Sequence, residues 1–184
     1  MLSPNNTIFT LIDVQTRLCA VMHEREILID NLVKLLKGLQ LLQIPIIWLE
    51  QNPEKMGSTI PELSQLLQQQ TPITKMTFSC CGSTDYLATL KTSGRTHVII
   101  AGIETHVCVY QTAMDLLRLN HPVEVVSDAT SSRTPNNKTT ALARISSQTN
   151  TPTHTSLTTT EMLLFELMQT ADHPAFRDML KIVK

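Results

Sequence analysis

The chain has 184 residues, a formal net charge of −1, 42% hydrophobic and 4% aromatic residues, which is the make-up of a globular protein long enough to bury about two thirds of its unfolded surface. No apolar run approaches the roughly 18 to 20 residues that span a bilayer, and the start Met1-Leu2-Ser3-Pro4-Asn5-Asn6 lacks the basic and then apolar pattern of a signal peptide, so a cytoplasmic protein with no membrane partner is expected. A nearly neutral chain without a basic, aromatic-interleaved stripe offers nothing to attract nucleic acid, which leaves small neutral or modestly charged molecules as partners.

Along the chain, branched apolar runs at Ile8 to Ile12, Ile44 to Leu49, Val98 to Ala101 and Val123 to Val126 each end in a polar cluster and read as strands buried on both faces. Between the first two, Leu28, Leu32, Leu35, Leu36, Leu39 and Leu42 recur at helical spacing; after the third, Val107, Tyr110, Met114 and Leu117 do the same. Such stripes are core-facing surfaces. Further helices are expected at Pro61 to Leu67, Thr84 to Thr92, Lys138 to Ser146, Thr160 to Met168 and Pro174 to Val183, with short polar strands near Ile73 and at Thr153 to Ser156. The stretches Thr130 to Thr140 and Ser146 to Thr160 read as loops, the second rich enough in threonine to hide an edge strand. Alternating strands and helices predict an α/β fold in which a parallel sheet carries helices on both faces, formed by residues 1–184 as one domain.

Ligands in such a sheet bind beyond the carboxyl ends of the strands, where strand order reverses. The first strand ends at Asp13, and the strand at Val98 to Ala101 runs through Gly102 to Cys108 into a helix. In the order 3-2-1-4-5-6 these two strands are neighbours, and Asp13 and Cys108 face one crevice. A cysteine in the first turn of a helix meets free N–H groups and a dipole that lower its pKa, while the same groups could hold an oxyanion. By position alone Cys108 reads equally as a small buried apolar residue, Asp13 as a cap or a partner of Arg17, and Lys75 as a solvated lysine. The four cysteines, Cys19, Cys80, Cys81 and Cys108, form no CxxC pair and are expected to be free thiols.

The segments Leu11-Ile12-Asp13-Val14-Gln15, Thr74-Lys75-Met76-Thr77-Phe78-Ser79 and Gly102-Ile103-Glu104-Thr105-His106-Val107-Cys108-Val109 resemble, in order, the three signature segments of the isochorismatase-like cysteine hydrolases. Trp48 to Pro53, Gly57-Ser58-Thr59 and Ser127 to Arg133 extend the likeness over nearly the whole chain and bring it nearest to the isochorismatase domain-containing proteins. The resemblance implies a three-layer sandwich around a six-stranded parallel sheet. It implies a catalytic triad of Asp13, Lys75 and Cys108, and an oxyanion hole from the backbone N–H groups of Glu104 and Cys108. It also implies a non-proline cis peptide at Ile103–Glu104 and self-association into a homo-oligomer. Loops carrying Gln15, Glu50, Gln51, Asn52, Phe78 and His106 are expected to line the substrate pocket, although surface or packing roles fit those residues as well. Arg133 and Asp128 are expected to organise the loop after the fifth strand.

Two departures narrow the activity that the resemblance implies. Nicotinamidases of the superfamily carry an Asp/His metal cluster after the second strand, where this chain reads Glu50-Gln51-Asn52-Pro53-Glu54, and the six histidines are scattered without ligand spacing. No metal and no cofactor are therefore expected; nor do the five glycines form GxGxxG or a Walker loop. Isochorismatase proper lacks the cysteine that this chain has. The reading is a hydrolase of a small amide or related C–N substrate through a thioester. Its alternatives are a weakly active binding or scaffold protein, and a thiol redox protein in which Cys80 and Cys81 resolve Cys108.

Overall fold

The computed structural model describes residues 2–148 and 153–184. Strand β1 (Thr7–Ile12) leads through the single turn α1 (Thr16–Cys19) into the long helix α2 (Arg25–Leu41) and strand β2 (Ile46–Gln51). Short helices α3 (Pro53–Met56) and α4 (Pro61–Ser64) precede β3 (Ile73–Lys75), followed by a 3-10 turn at Cys80–Gly82 and helix α5 (Thr84–Ser93). Strand β4 (His97–Ile103) enters a π-helical turn at Thr105–Val109 that continues as α6 (Tyr110–Arg118). Strand β5 (Val123–Ser131), α7 (Pro135–Ser146), β6 (Thr155–Thr158), α8 (Thr160–Met168) and α9 (Phe176–Val183) complete the chain. The six strands form one sheet in the order β3-β2-β1-β4-β5-β6 with every pairing parallel, the architecture expected from the sequence.

Strand periodicity explains why the central runs are apolar throughout. Phe9, Leu11, Ile46, Trp48, Ile99 and Ala101 point to one face, where they meet the leucines of α2 together with Leu163, Leu164, Leu167 and Met179. Ile8, Ile12, Ile47, Leu49, Val98 and Ile100 point to the other, against Tyr86, Leu90, Ala113, Leu116 and Ile145 of α5, α6 and α7. Both faces are thus covered, as a parallel sheet requires.

Two expectations about loops give way. Strand β5 continues to Ser131 rather than ending at Val126, and α7 begins at Pro135, so most of the stretch from Thr130 to Thr140 is regular structure. Polar residues are tolerated at that end of β5 because each finds a partner: Ser127 Oγ donates to Thr158 O at 2.8 Å, and Asp128 Oδ1 accepts from Thr160 N at 2.8 Å. Helix α7 starts on a Thr134 side chain that accepts from Asn137 N, with Pro135 in the first turn. The suspected edge strand is β6; residues 149–152 of the neighbouring stretch lie outside the described residues. Other boundaries move by a few residues: the Pro61 helix stops at Ser64, and the last helix begins at Phe176.

At the centre of the sheet β4 and β1 approach more closely than two ordinary residues allow. Gly102 pairs with Ile12 at φ +117°, and a Cβ there would lie 2.1 Å from the Ile12 carbonyl oxygen. The β4–β5 register also shifts between Ile100 and Gly102, and the next peptide, Ile103–Glu104, is cis. Because neither the backbone conformation nor the space admits a side chain, Gly102→Ala is expected to destabilise the fold by about 2 to 4 kcal/mol. Urea denaturation measures it; a loss below about 0.5 kcal/mol would show that the strands part at little cost.

Candidate active site

Three strand ends deliver the crevice. Asp13 follows β1 with φ 52°, a left-handed conformation that aspartate adopts more readily than most residues, and its N–H donates to Leu49 O at 3.2 Å. Lys75 ends β3 in register with Gln51 of β2. Its Nζ donates to Asp13 Oδ2 at 2.6 Å and to the carbonyls of Thr77 and Phe78, both at 3.1 Å. With Gln51 Oε1 at 3.5 Å as a fourth and longer contact, the three protons of the ammonium are fully engaged. Asp13 is fully buried and Lys75 nearly so, so this is an ion pair removed from water. Arg17, the other candidate partner of Asp13, donates instead to Lys55 O.

Cys108 lies in the π-helical turn before α6, buried, and its thiol donates to Gln51 Oε1 at 3.3 Å. The second Asp13 oxygen, Oδ1, is buried without a hydrogen-bond partner among the described residues, yet the Asp13 carboxyl and the Cys108 thiol each perturb the other's protonation. The thiol proton goes to Gln51, which leaves Oδ1 unengaged.

Burial raises the Asp13 pKa above its ordinary value; the Lys75 cation opposes that without reversing it. The Cys108 thiol is also pushed up, first by burial and then by the Asp13 charge, with Lys75 again opposing. Burial and the neighbouring carboxylate thus move the thiol in the direction opposite to that expected for a cysteine in a helical first turn.

A cavity of about 150 Å3 opens over the sulfur. Leu18, Met56, Phe78 and Val107 give it apolar walls, while Gln51, Glu104 and Cys108 supply its polar atoms. Among the residues expected around the pocket, Gln51 and Phe78 thus reach it. Gln15, Glu50, Asn52 and His106 do not. Gln15 is fully buried, donating to Gln51 O and Gly57 O and accepting from Gln51 N. Glu50 Oε1 accepts from Thr59 N at 2.6 Å and Thr59 Oγ1 at 2.8 Å. Asn52 takes a left-handed turn that begins α3, and the His106 ring lies between Ser132 Oγ and the Asn137 amide. These residues hold the loops that carry the cavity walls.

Glu104 and Cys108 both line the cavity. The Glu104 carboxylate is occupied elsewhere, where its Oε2 accepts from the backbone N–H and the Nε of Arg133, at 3.2 and 3.1 Å. Leu18 and Met56 join the walls from single-turn helices too short to leave a periodic mark in the sequence, and Val107, expected in a core-facing stripe, faces the cavity. Among the described residues no three His, Cys, Asp or Glu side chains gather so as to hold a metal ion, and no helix is long and apolar enough to cross a membrane.

The isochorismatase domain model matches residues 7–156. The chain belongs to the isochorismatase family. Isochorismatase domain-containing protein 1 of Danio rerio is 33% identical over 183 residues, a match covering 100% of this chain and 62% of that protein, so the chain spans less than two thirds of this relative. Isochorismatase domain-containing protein 2 of Bos taurus is 33% identical over 98% of this chain and 84% of its own length. Among solved structures, the MAR1 ribonuclease of Caenorhabditis elegans superposes with a TM-score of 0.89 at 33% identity, covering 99% of this chain and 91% of that one. The Escherichia coli YcaC protein, an octameric hydrolase of unknown specificity, shares the fold with a TM-score of 0.85 at 22% identity, over 98% of this chain and 94% of its own. The isochorismatase-like fold is a hydrolase fold.

The buried thiols make the site sensitive to alkali. Burial pushes Cys80 up to about 12, against an ordinary value of 9.0. The native state therefore keeps protons that the unfolded chain releases, and stability falls as pH rises through the window from 9.0 toward about 12. A Cys80→Ala variant is expected to lose up to about 1.4 kcal/mol of that dependence per pH unit. Urea midpoints for both proteins across this window provide the comparison, and parallel curves would mean that Cys80 does not hold its proton.

Proposed function

We propose that the protein is a cysteine-dependent hydrolase of small amides or related C–N substrates, working as one hydrolase domain through a thioester on Cys108. The observation that carries this reading is the unengaged Asp13 oxygen, buried beside the sulfur and held by an ammonium on its other side. In the reaction Asp13 accepts the Cys108 proton as the sulfur attacks the carbonyl carbon. The oxyanion then meets the backbone N–H groups of Glu104 and Cys108. Asp13 returns the proton to the leaving nitrogen, and water cleaves the thioester. A thiol protonated at rest fits this cycle, because sulfur and carboxyl exchange the proton only when a carbonyl is in place. Lys75 acts through Asp13: it fixes the carboxylate and favours its charged form. Gln51 orients the thiol. No cofactor takes part in this scheme. Self-association into a homo-oligomer belongs to the same proposal.

Two other readings fit less well. A redox role for Cys80 and Cys81 needs thiolates near neutral pH, whereas burial pushes both up to about 12. Nucleic-acid cleavage, suggested by the name of the nematode relative, must reckon with a net charge of −1 and a cavity of about 150 Å3 with no Lys, Arg or His in its lining.

An ammonia-release screen over small amides, with mass spectrometry of the trapped acyl-enzyme, tests the reading. Cys108→Ala is expected to abolish turnover, by about 1000-fold or more, with thermal unfolding little changed; full activity in that variant would rule out covalent catalysis. RNA cleavage in place of amide hydrolysis would do the same for the substrate class. The pH profile separates Lys75's role from mere packing. Asp13 must be ionised to act, so kcat/KM is expected to fall with decreasing pH with an apparent pKa above the ordinary carboxylate value of 3.8. Lys75→Met removes the cation that opposes the rise, so that limb should move to still higher pH. A limb that stays put or moves lower would contradict the pairing.

A further inference from the structure

Phe78 stands where two hollows meet. One is the cavity over Cys108; the other is a groove of about 640 Å3 lined by Met76, Cys81, Leu87 and Leu119, with the Asp115–Arg118 ion pair also in its lining. Phe78 lines both. Its backbone is pinned, since the carbonyl accepts from Lys75 Nζ, but its side chain is loosely held, with the residue 52% exposed. Phe78 is thus the one residue shared by the two linings, an exposed aromatic side chain on a fixed backbone.

The small cavity also constrains charge. Among the described residues no Lys, Arg or His lines it, Lys75 Nζ is surrounded by acceptors from Asp13, Gln51, Thr77 and Phe78, and Arg133 is drawn onto Glu104. A carboxylate entering would lose its water without gaining a counter-ion, and the Asp13 charge that could face an ammonium group is already balanced by Lys75. An apolar protein cavity of this size holds about six non-hydrogen atoms, the size of benzene.

From these observations we infer that the substrates are short, uncharged aliphatic amides and that Phe78 is the partition that limits acyl length. The inference rests on the amide-hydrolase reading above. With the ring in place the acyl chain ends against it; with the ring removed the chain runs on into the groove.

The test compares the wild type with Phe78→Ala and, in case the larger truncation unfolds the loop, Phe78→Leu. Turnover is measured on propanamide, butanamide, hexanamide and octanamide, with succinamate as the charged control. The wild type should favour butanamide, which has about six non-hydrogen atoms, over octanamide and over succinamate by about tenfold or more in kcat/KM. Phe78→Ala should raise octanamide relative to butanamide by a similar factor and leave succinamate poor. Alkylation of Cys108 by iodoacetamide and by N-octyl iodoacetamide, followed by mass spectrometry, reads the same wall without any turnover. A wild type that admits both probes equally, or variants that leave their ratio unchanged, would overturn the partition. If no amide is hydrolysed and the probes still discriminate until Phe78 is cut back, the hydrolase reading fails and the partition stands. Efficient turnover of succinamate would overturn the uncharged substrate class.

Discussion

An ammonium and a carboxylate held 2.6 Å apart out of water organise the whole crevice. Neither ion could be buried alone, because each would lose several kcal/mol of hydration with nothing in return. Their pairing fixes where the ends of β1 and β3 must lie, although those strands are separated in the sheet by β2. It also accounts for the existence of β3, a strand of three residues at the sheet's edge. Its three register pairs with β2 are enough to bring Lys75 level with Gln51, from where the lysine side chain reaches across to Asp13. The same ammonium ties down the carbonyls of Thr77 and Phe78. One cation thus sets both the position of a carboxylate and the course of the loop that forms a cavity wall.

Around this pair lies a second set of buried polar contacts that hold backbone rather than substrate. Gln15 clamps Gln51 and Gly57, and Glu50 clamps Thr59, so the loop after α3 is fastened over the end of β2. Each of these side chains could have faced a ligand, and each is instead turned onto a neighbouring loop, Gln15 through backbone partners and Glu50 through the backbone and hydroxyl of Thr59. A buried amide with its hydrogen bonds complete has little left to offer a substrate. On the far side, Gly102 lets β4 press against β1, which sets the depth at which Cys108 emerges from its turn.

The sheet is readable from sequence because its strands are apolar on both faces and long enough to stand out from the helical stripes between them. Asp13 and Cys108 are legible as candidates from position, since each follows a central strand. Lys75 is not. A lysine after a short polar strand looks like any surface lysine, and only the signature segments single it out. The end of β5 resembles a loop because Ser127, Asp128 and Thr130 are polar, and the partners of the first two on β6 and α8 are remote in sequence. The start of α7 at Thr134-Pro135 is, by contrast, a capping signal present in the residues themselves. Which polar residues face the cavity is not legible at all. Whether Gln15 or Gln51 meets solvent depends on loop paths that the sequence does not encode locally.

The directions in which burial moves the two titrating groups bear on how such a site could act. A surface cysteine made reactive by a lowered pKa is always available, but it is a weaker nucleophile and is open to oxidants. Here desolvation raises both the thiol and the neighbouring carboxyl. In the proposed reaction a raised carboxyl is the more willing acceptor, and once protonated it is an acid better matched to a leaving nitrogen near neutral pH. The sulfur, kept as a thiol until a carbonyl displaces the remaining water, would attack as a fully basic thiolate formed only at the moment of use. Lys75 limits how far the carboxyl can rise. The depth of burial and the placement of one cation would therefore determine the chemistry as much as the identity of the nucleophile does.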